Sequence, residues 1–62
     1  MQIAIMDHEP QGEDEIELKV GDSINLETNL WNGYNKGGNH RTNKNGKFPG
    51  YKTQEKPAFA NF

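Results

Sequence analysis

The feature that most constrains this chain is a two-residue hydrophobic rhythm interrupted by a turn signal. Polar and apolar side chains alternate over residues 15–20, Glu15-Ile16-Glu17-Leu18-Lys19-Val20, and again over residues 23–27, Ser23-Ile24-Asn25-Leu26-Glu27. A period of two places Ile16, Leu18 and Val20 on one face of a strand, and Ile24 and Leu26 on one face of the next. Gly21-Asp22 between them reads as a turn. No window carries apolar residues at i, i+3, i+4 and i+7, so no helix longer than one turn is expected.

The chain has 62 residues. A domain of that size buries only about 60% of the surface its unfolded chain exposes, so its core must be small and well ordered. A mean hydropathy of −1.08 is low enough to raise the question of disorder. Against that, the formal net charge is only −2, and the apolar residues fall into short strand-like groups, which favours a folded module. The mild acidity argues against general nucleic-acid binding, which needs clustered Lys and Arg. No run approaches the ~20 apolar residues that span a bilayer, and no signal peptide is expected. The absence of cysteine excludes disulfides and thiolate zinc sites and leaves the redox compartment open.

Read in order, residues 1–6 form a first strand ended by Asp7. His8-Glu9-Pro10-Gln11-Gly12 is a loop, and Glu13, Asp14 and Glu15 are a solvated acidic run leading into the strand of residues 15–20. Thr28-Asn29 ends the strand that carries Ile24 and Leu26, and the next begins over residues 31–35. Residues 36–47 are rich in Gly, Asn and Lys and read as a solvated hairpin tip. Its turn is expected near residues 43–46, where Asn45-Gly46 favours positive φ. Lys47-Phe48 is a short strand broken by Pro49-Gly50, and residues 51–55 give a tight turn and a last strand. Five short strands with turn signals between them predict a small all-β barrel or sandwich. Trp31, the one tryptophan, offers roughly 150–250 Å² for burial and is the expected organising side chain.

The order of these pieces resembles a Src-homology-3 (SH3) domain, a five-stranded small barrel. The carrying residues are Ala4-Ile5-Met6-Asp7-His8, Glu15-Ile16-Glu17-Leu18, Gly21-Asp22, Trp31, Gly46-Lys47-Phe48-Pro49 and Tyr51. The likeness covers residues 2–56, with residues 57–62 as a C-terminal tail carrying Phe59 and Phe62. Within that fold the chain is similar to the C-terminal SH3 module of the α-1,6-fucosyltransferases, which core-fucosylate N-glycans. The more specific residues are Gln2-Ile3-Ala4-Ile5, His8, Pro10, Asp14-Glu15-Ile16, Asn29, Trp31, Gly33-Tyr34, Lys36-Gly37, Asn39, Tyr51-Lys52 and Glu55-Lys56. Two positions depart from that family: Met6 stands where an aromatic is usual, and Leu30 where a histidine often precedes the tryptophan.

This resemblance implies a non-catalytic domain of a Golgi-lumenal enzyme that transfers fucose from GDP-fucose to the innermost GlcNAc of N-glycans. The domain itself would hold no cofactor. Its partners would be the acceptor N-glycan and the catalytic domain of the same chain. Carried over by position, the glycan-facing segment is Leu26, Glu27, Thr28, Asn29 and Leu30, with Trp31 behind it and Tyr34 beside it. The composition around Trp31 and Tyr34, flanked by Asn25, Asn29, Asn32, Asn35 and Asn39, suits sugar C–H faces and hydroxyls.

The alternative is an independent adaptor that binds proline-rich peptides between parallel rings. The residual groove for that would be His8, Trp31, Pro49 and Tyr51, with Glu13, Asp14 and Glu15 available to a ligand cation. Met6, His8 and Asn32 replace rings that such a groove uses, so peptide binding is expected to be weak or absent. A third reading is a purely structural domain.

Blander roles stand beside these. Trp31 and Tyr34 can simply pack. His8 is either a groove residue or a hydrogen-bonded loop residue, and His40 is solvated. The basic residues Lys36, Arg41, Lys44 and Lys47 read as a solvated hairpin. Asn43 and Asn45 serve turn chemistry. No metal site is expected from two histidines without a third ligand at metal spacing. No nucleophile–base pair or phosphate loop is visible in the spacing, so chemistry would belong to a larger parent.

Overall fold

The computed structural model describes residues 1–30 and 32–56. Trp31 and the expected tail, with Phe59 and Phe62, lie outside the described residues. The strands are β1 (Gln2–Ala4), β2 (Ser23–Asn29), β3 (Tyr34–Asn39), β4 (Lys44–Pro49) and β5 (Thr53–Glu55), with a single 3-10 turn, Gly50–Lys52, before β5. They make one antiparallel sheet in the order β4-β3-β2-β1-β5. The all-β expectation holds. The barrel is approximate, because the sheet is not closed: β4 and β5 are its two edges.

The long β1–β2 connection, residues 5–22, acts as a strap between those edges. Near β5, the Ile5 N–H donates to the Lys52 carbonyl at 2.8 Å. Near β4, the Ile16 N–H donates to the Lys47 carbonyl at 2.9 Å, and the Lys47 N–H to the Asp14 carbonyl at 2.7 Å. Residues 15–20 are therefore not the strand their alternation predicts. They make only isolated bridges, Glu15 with Lys47 and Leu18 with His8. The pattern still reports burial for Ile16 and Leu18, but Val20 is 65% exposed. The chain has already turned there: the Lys19 N–H donates to Asp22 Oδ2 and the Asp22 N–H to the Lys19 carbonyl, each at 2.9 Å.

The expected hairpin tip differs most. Two six-residue strands, β3 and β4, run through it, and the turn is residues 40–43, three residues early. Asn43 takes the positive φ, at 59°, and its N–H donates to the Asn39 carbonyl at 2.8 Å. Asn45 lies in β4, and Gly46 is buried in it. Gly37 and Gly46 face one another across β3 and β4. A Cβ on Gly37 would meet the Asn25 carbonyl oxygen, and one on Gly46 would lie 2.6 Å from the Asp14 carbonyl oxygen and 2.9 Å from Ile16 Cγ2. These glycines are in strands because neighbouring backbone comes too close for any side chain.

The core is Ala4, Ile16, Leu18, Ile24 and Phe48, with Leu26 half-buried against it. Among the described residues the largest fully buried side chain is Phe48. Beside this core sits a buried polar node. Asp22 Oδ2 accepts from Asn39 Nδ2 at 2.7 Å, and Asp22 Oδ1 accepts from Arg41 Nε at 2.8 Å. Asn39 Nδ2 also donates to the Glu17 carbonyl at 3.0 Å, and Asn39 Oδ1 accepts from the Arg41 N–H at 2.8 Å. Burial of the Asp22 carboxyl works to raise its pKa. Hydrogen bonds from Arg41, Asn39 and the Lys19 N–H outweigh that and hold it below its ordinary 3.8.

Two outcomes follow from this packing. Phe48→Ala removes the largest buried side chain and costs about 3–5 kcal/mol. That is comparable with the total stability of roughly 3–9 kcal/mol for a domain of this size, so thermal unfolding monitored by circular dichroism should show most of the cooperative transition lost. The depressed Asp22 carboxyl contributes stability that is complete above its unfolded pKa and lost as pH falls through the folded value. The urea midpoint should therefore be flat above about pH 5 and fall below about pH 4. Asp22→Asn should be less stable at pH 7 by about 1–2 kcal/mol and lose less on acidification; an unchanged acid slope in that variant would contradict the role given to Asp22.

Candidate functional site

A groove of about 430 Å³ lies between the strap, the β2–β3 turn and the 3-10 turn. The strap supplies His8, Glu9 and Gln11. The β2–β3 turn and the start of β3 supply Asn32, Gly33 and Tyr34, and the end of β4 and the 3-10 turn supply Pro49, Tyr51 and Lys52. Local hydrogen bonds fix these walls. The Leu30 N–H donates to the Tyr34 carbonyl at 2.7 Å, and the Tyr34 N–H to Asn32 Oδ1 at 3.3 Å. Gly33 turns the chain with φ 91°, and its carbonyl accepts from the Gly50 N–H at 2.9 Å, which joins the two aromatic walls. Pro49 has φ −64°, and the Gly50 carbonyl accepts from both the N–H and the hydroxyl of Thr53, closing the 3-10 turn.

His8 forms the floor and is both of the things the sequence left open: it lines the groove and it is hydrogen-bonded. Its backbone pairs with Leu18 through two 2.9 Å bonds. Its ring is buried between two charged groups, with Nε2 2.7 Å from Glu15 Oε1 and Nδ1 3.0 Å from Lys52 Nζ. An ammonium can only donate, so the geometry selects one tautomer: Nδ1 accepts from Lys52 and Nε2–H donates to Glu15. Glu15 Oε1 also accepts from the Gln11 N–H at 3.1 Å. The His8 bond first, then the Gln11 bond, hold the Glu15 carboxyl below its ordinary 4.5 against a smaller effect of burial.

The acidic run is therefore not simply solvated. The Glu15 side chain is only 10% exposed and is engaged by His8. Asp14 pairs with Lys47 at 2.8 Å. The basic group is also not uniformly solvated: Arg41 pairs with Asp22 and Glu17, and Lys47 Nζ also lies 5.8 Å from the Tyr34 ring centroid. Lys36, Lys44 and His40 are exposed.

The structure brings His8, Pro49, Tyr51 and Tyr34 together. It does not gather the carried-over glycan segment into one loop. Leu26, Thr28 and Asn29 lie in β2, which continues past the expected break because Asn29 pairs with Asn35. Leu26 packs toward the core, Thr28 and Asn29 are exposed beside a bulge between Leu26 and Thr28, and Leu30 is half-buried. Glu9, Gln11, Gly33 and Lys52 line the groove without having been singled out for it. They reach it from a loop, a tight turn and a 3-10 turn, where no periodicity marks a facing side chain. Chemically the groove offers two phenol rings, two side-chain amides, a carboxylate and an ammonium. That set can stack on C–H faces and exchange hydrogen bonds with hydroxyls.

No family model matches the chain. It is 54% identical over 50 residues to an alpha-(1,6)-fucosyltransferase of Caenorhabditis elegans, a match covering 81% of this chain and 9% of that protein. It is 40% identical over 52 residues to an alpha-(1,6)-fucosyltransferase of Drosophila melanogaster, covering 84% of this chain and 8% of that one. The chain is homologous to a short segment of these enzymes. It spans less than a tenth of the length of the curated relatives it matches. A compact five-stranded unit fits one domain of such an enzyme.

The tautomer gives a direct check on the groove floor. Long-range proton–nitrogen correlation spectra of the His8 ring at pH 8 should show Nε2 protonated and Nδ1 bare. Lys52→Met, which keeps the apolar stem and removes the donor to Nδ1, should leave Nε2 protonated, because the Glu15 carboxylate beside it can only accept. A bare Nε2 in the unmodified chain would contradict the network.

Proposed function

We propose that this chain is an SH3-like domain of an α-1,6-fucosyltransferase, acting in acceptor recognition and in packing on the catalytic domain. The parent would transfer fucose from GDP-fucose to the innermost GlcNAc of N-glycans in the Golgi lumen. The chemistry and the donor site would belong to that parent, and this domain would help hold the acceptor. What supports the parentage is the homology with a short segment of two such enzymes.

The observation that carries the glycan role is the state of the groove. Tyr34 and Tyr51 stand beside amides from Gln11 and Asn32, while two of the strap acids that would meet a ligand cation are already engaged and Glu9 is the carboxylate that lines the groove. Glu15 is held by His8 and Asp14 by Lys47. Lys52 presents an ammonium there instead. Such a groove suits a hydroxyl-rich ligand better than an Arg-flanked proline-rich one. The exposed Thr28 and Asn29 of the adjoining hairpin would extend the contact.

The convergence of His8, Pro49, Tyr51 and Tyr34 in one groove is the observation that favours the second reading, an adaptor for proline-rich peptides. One experiment separates the two. The 15N-labelled chain is titrated in parallel with an N-glycan acceptor ending in exposed GlcNAc and with a panel of Arg-flanked PxxP peptides. Saturable shifts at Gly33, Tyr34 and Tyr51 with the glycan, reduced roughly 5- to 50-fold in affinity by Tyr51→Ala as expected for a lost ring contact of 1–2.4 kcal/mol, are the expected outcome. Saturable micromolar binding of the peptides, with no glycan response, would replace this reading with the adaptor.

A further inference from the structure

A second hollow, of about 330 Å³, lies at the other end of β3, over the outer face of the β2-β3-β4 sheet. In register, Asn25 faces Gly38 and Gly38 faces Asn45. Directly opposed residues on neighbouring strands share a face, so two amides flank a position that has no side chain. A Cβ on Gly38 would meet Asn45 Oδ1, so the Asn45 amide lies across the glycine. Asn43, His40 and Lys44 complete the rim. Asn39 also touches the hollow, but its amide is fully used in the polar node. By contrast, the side chains of Asn25, Asn43 and Asn45 make no hydrogen bond with any described residue, and all three residues are exposed.

Each free amide offers two donors and an acceptor on one rigid plane. That combination matches neighbouring hydroxyls, which both give and receive. Among the described residues no carboxylate lines the hollow and Lys44 is its one lysine, which makes a poor phosphate site, because phosphate recognition relies on several charged donors. The volume is at the lower end for a small-ligand site.

We propose that this hollow is a second carbohydrate contact surface, taking the hydroxyls of a neutral sugar residue. Five residues of strand separate Tyr34 from Asn39, so the surface is about 17 Å from the groove at ~3.3 Å per residue. The choice of carbohydrate rests on the glycan reading of the parent enzyme; the unpaired amides are independent of it.

The test is a titration of the 15N-labelled 62-residue chain with a neutral mannose- and GlcNAc-containing pentasaccharide, with inorganic phosphate in parallel. The backbone amide of Gly38 and the side-chain amides of Asn25 and Asn45 should shift saturably with the sugar and not with phosphate. Asn25→Ala and Asn45→Ala should each weaken that response roughly 2- to 10-fold, as expected for one neutral hydrogen bond. Asn43→Gly, which keeps the left-handed turn, should weaken it to a similar degree. Unperturbed Ile24 and Phe48 resonances would certify the fold of each variant. Shifts at Tyr34 and Tyr51 without shifts at Gly38 would overturn the second surface and leave the first reading standing. A response to phosphate, or a sugar response indifferent to all three substitutions, would also overturn it.

Discussion

The structure depends on two backbone hydrogen bonds that lay the strap on the edge of β4, from Ile16 to Lys47 and from Lys47 to Asp14. An open sheet leaves unpaired backbone groups along its outer strands, and here the β1–β2 connection covers one of them. That placement carries Ile16 and Leu18 into the core and turns Glu15 toward His8. It also sets His8 as the groove floor, since Leu18 and His8 exchange backbone hydrogen bonds. The approach is possible only because β4 has Gly46 at the crossing, where a Cβ would strike the Asp14 carbonyl. Core, edge and groove are thus consequences of one contact rather than three separate features.

The second organising principle is internal use of charge. With five buried apolar residues in the core among those described, area alone contributes little, and much of the specificity comes from polar pairing. Asp22 binds Arg41 and Asn39 inside the node, Glu17 meets Arg41 at the surface, Asp14 meets Lys47, and Glu15 is taken by His8. The exposed pairs contribute little individually. The Asp22 node is different because it is buried and its acceptors are filled, so it fixes where the strap ends relative to the turn at residues 40–43. Several charges that the strap would otherwise present to a partner, those of Asp14, Glu15, Glu17 and Asp22, are occupied in holding the fold.

Much of the fold was legible in the sequence wherever period-two alternation met a side chain large enough to bury. Ile24 and Leu26 were placed correctly, as were Ile16 and Leu18, even though the segment carrying them is a strap and not a strand. The break at Pro49-Gly50 was also readable, as was the lack, among the described residues, of any helix longer than one turn. The failures have a common cause. Gly37, Gly38, Asn39 and Gly46 look like turn residues by propensity, yet all four are buried in strands. Tertiary approach of neighbouring backbone decides their place, and one sequence contains no record of that approach. The same holds for the site. The resemblance pointed to His8, Pro49 and Tyr51, which line one groove, but not to Lys52 and Gln11 as groove residues, because they reach it only once the 3-10 turn and the strap face each other.

These constraints bear on what the molecule is suited to hold. β3 is bare of apolar side chains through its middle, Lys36-Gly37-Gly38-Asn39, and its two ends differ in chemistry. At Tyr34 there are rings, amides and an ammonium; at Asn39 there are amides whose hydrogen-bonding capacity is unspent. Because Asp14, Glu15, Glu17 and Asp22 are matched internally and Glu9 is the one carboxylate among the groove's described lining residues, neither end offers the concentrated acidity that would select a strongly basic ligand. Because the lysines and Arg41 are dispersed or paired, neither offers the clustered cations that would select a phosphate. A neutral, hydroxyl-rich ligand, the class proposed for both surfaces, would use what the two ends present. That proposal sits beside homology to a short segment of enzymes named for transferring a sugar.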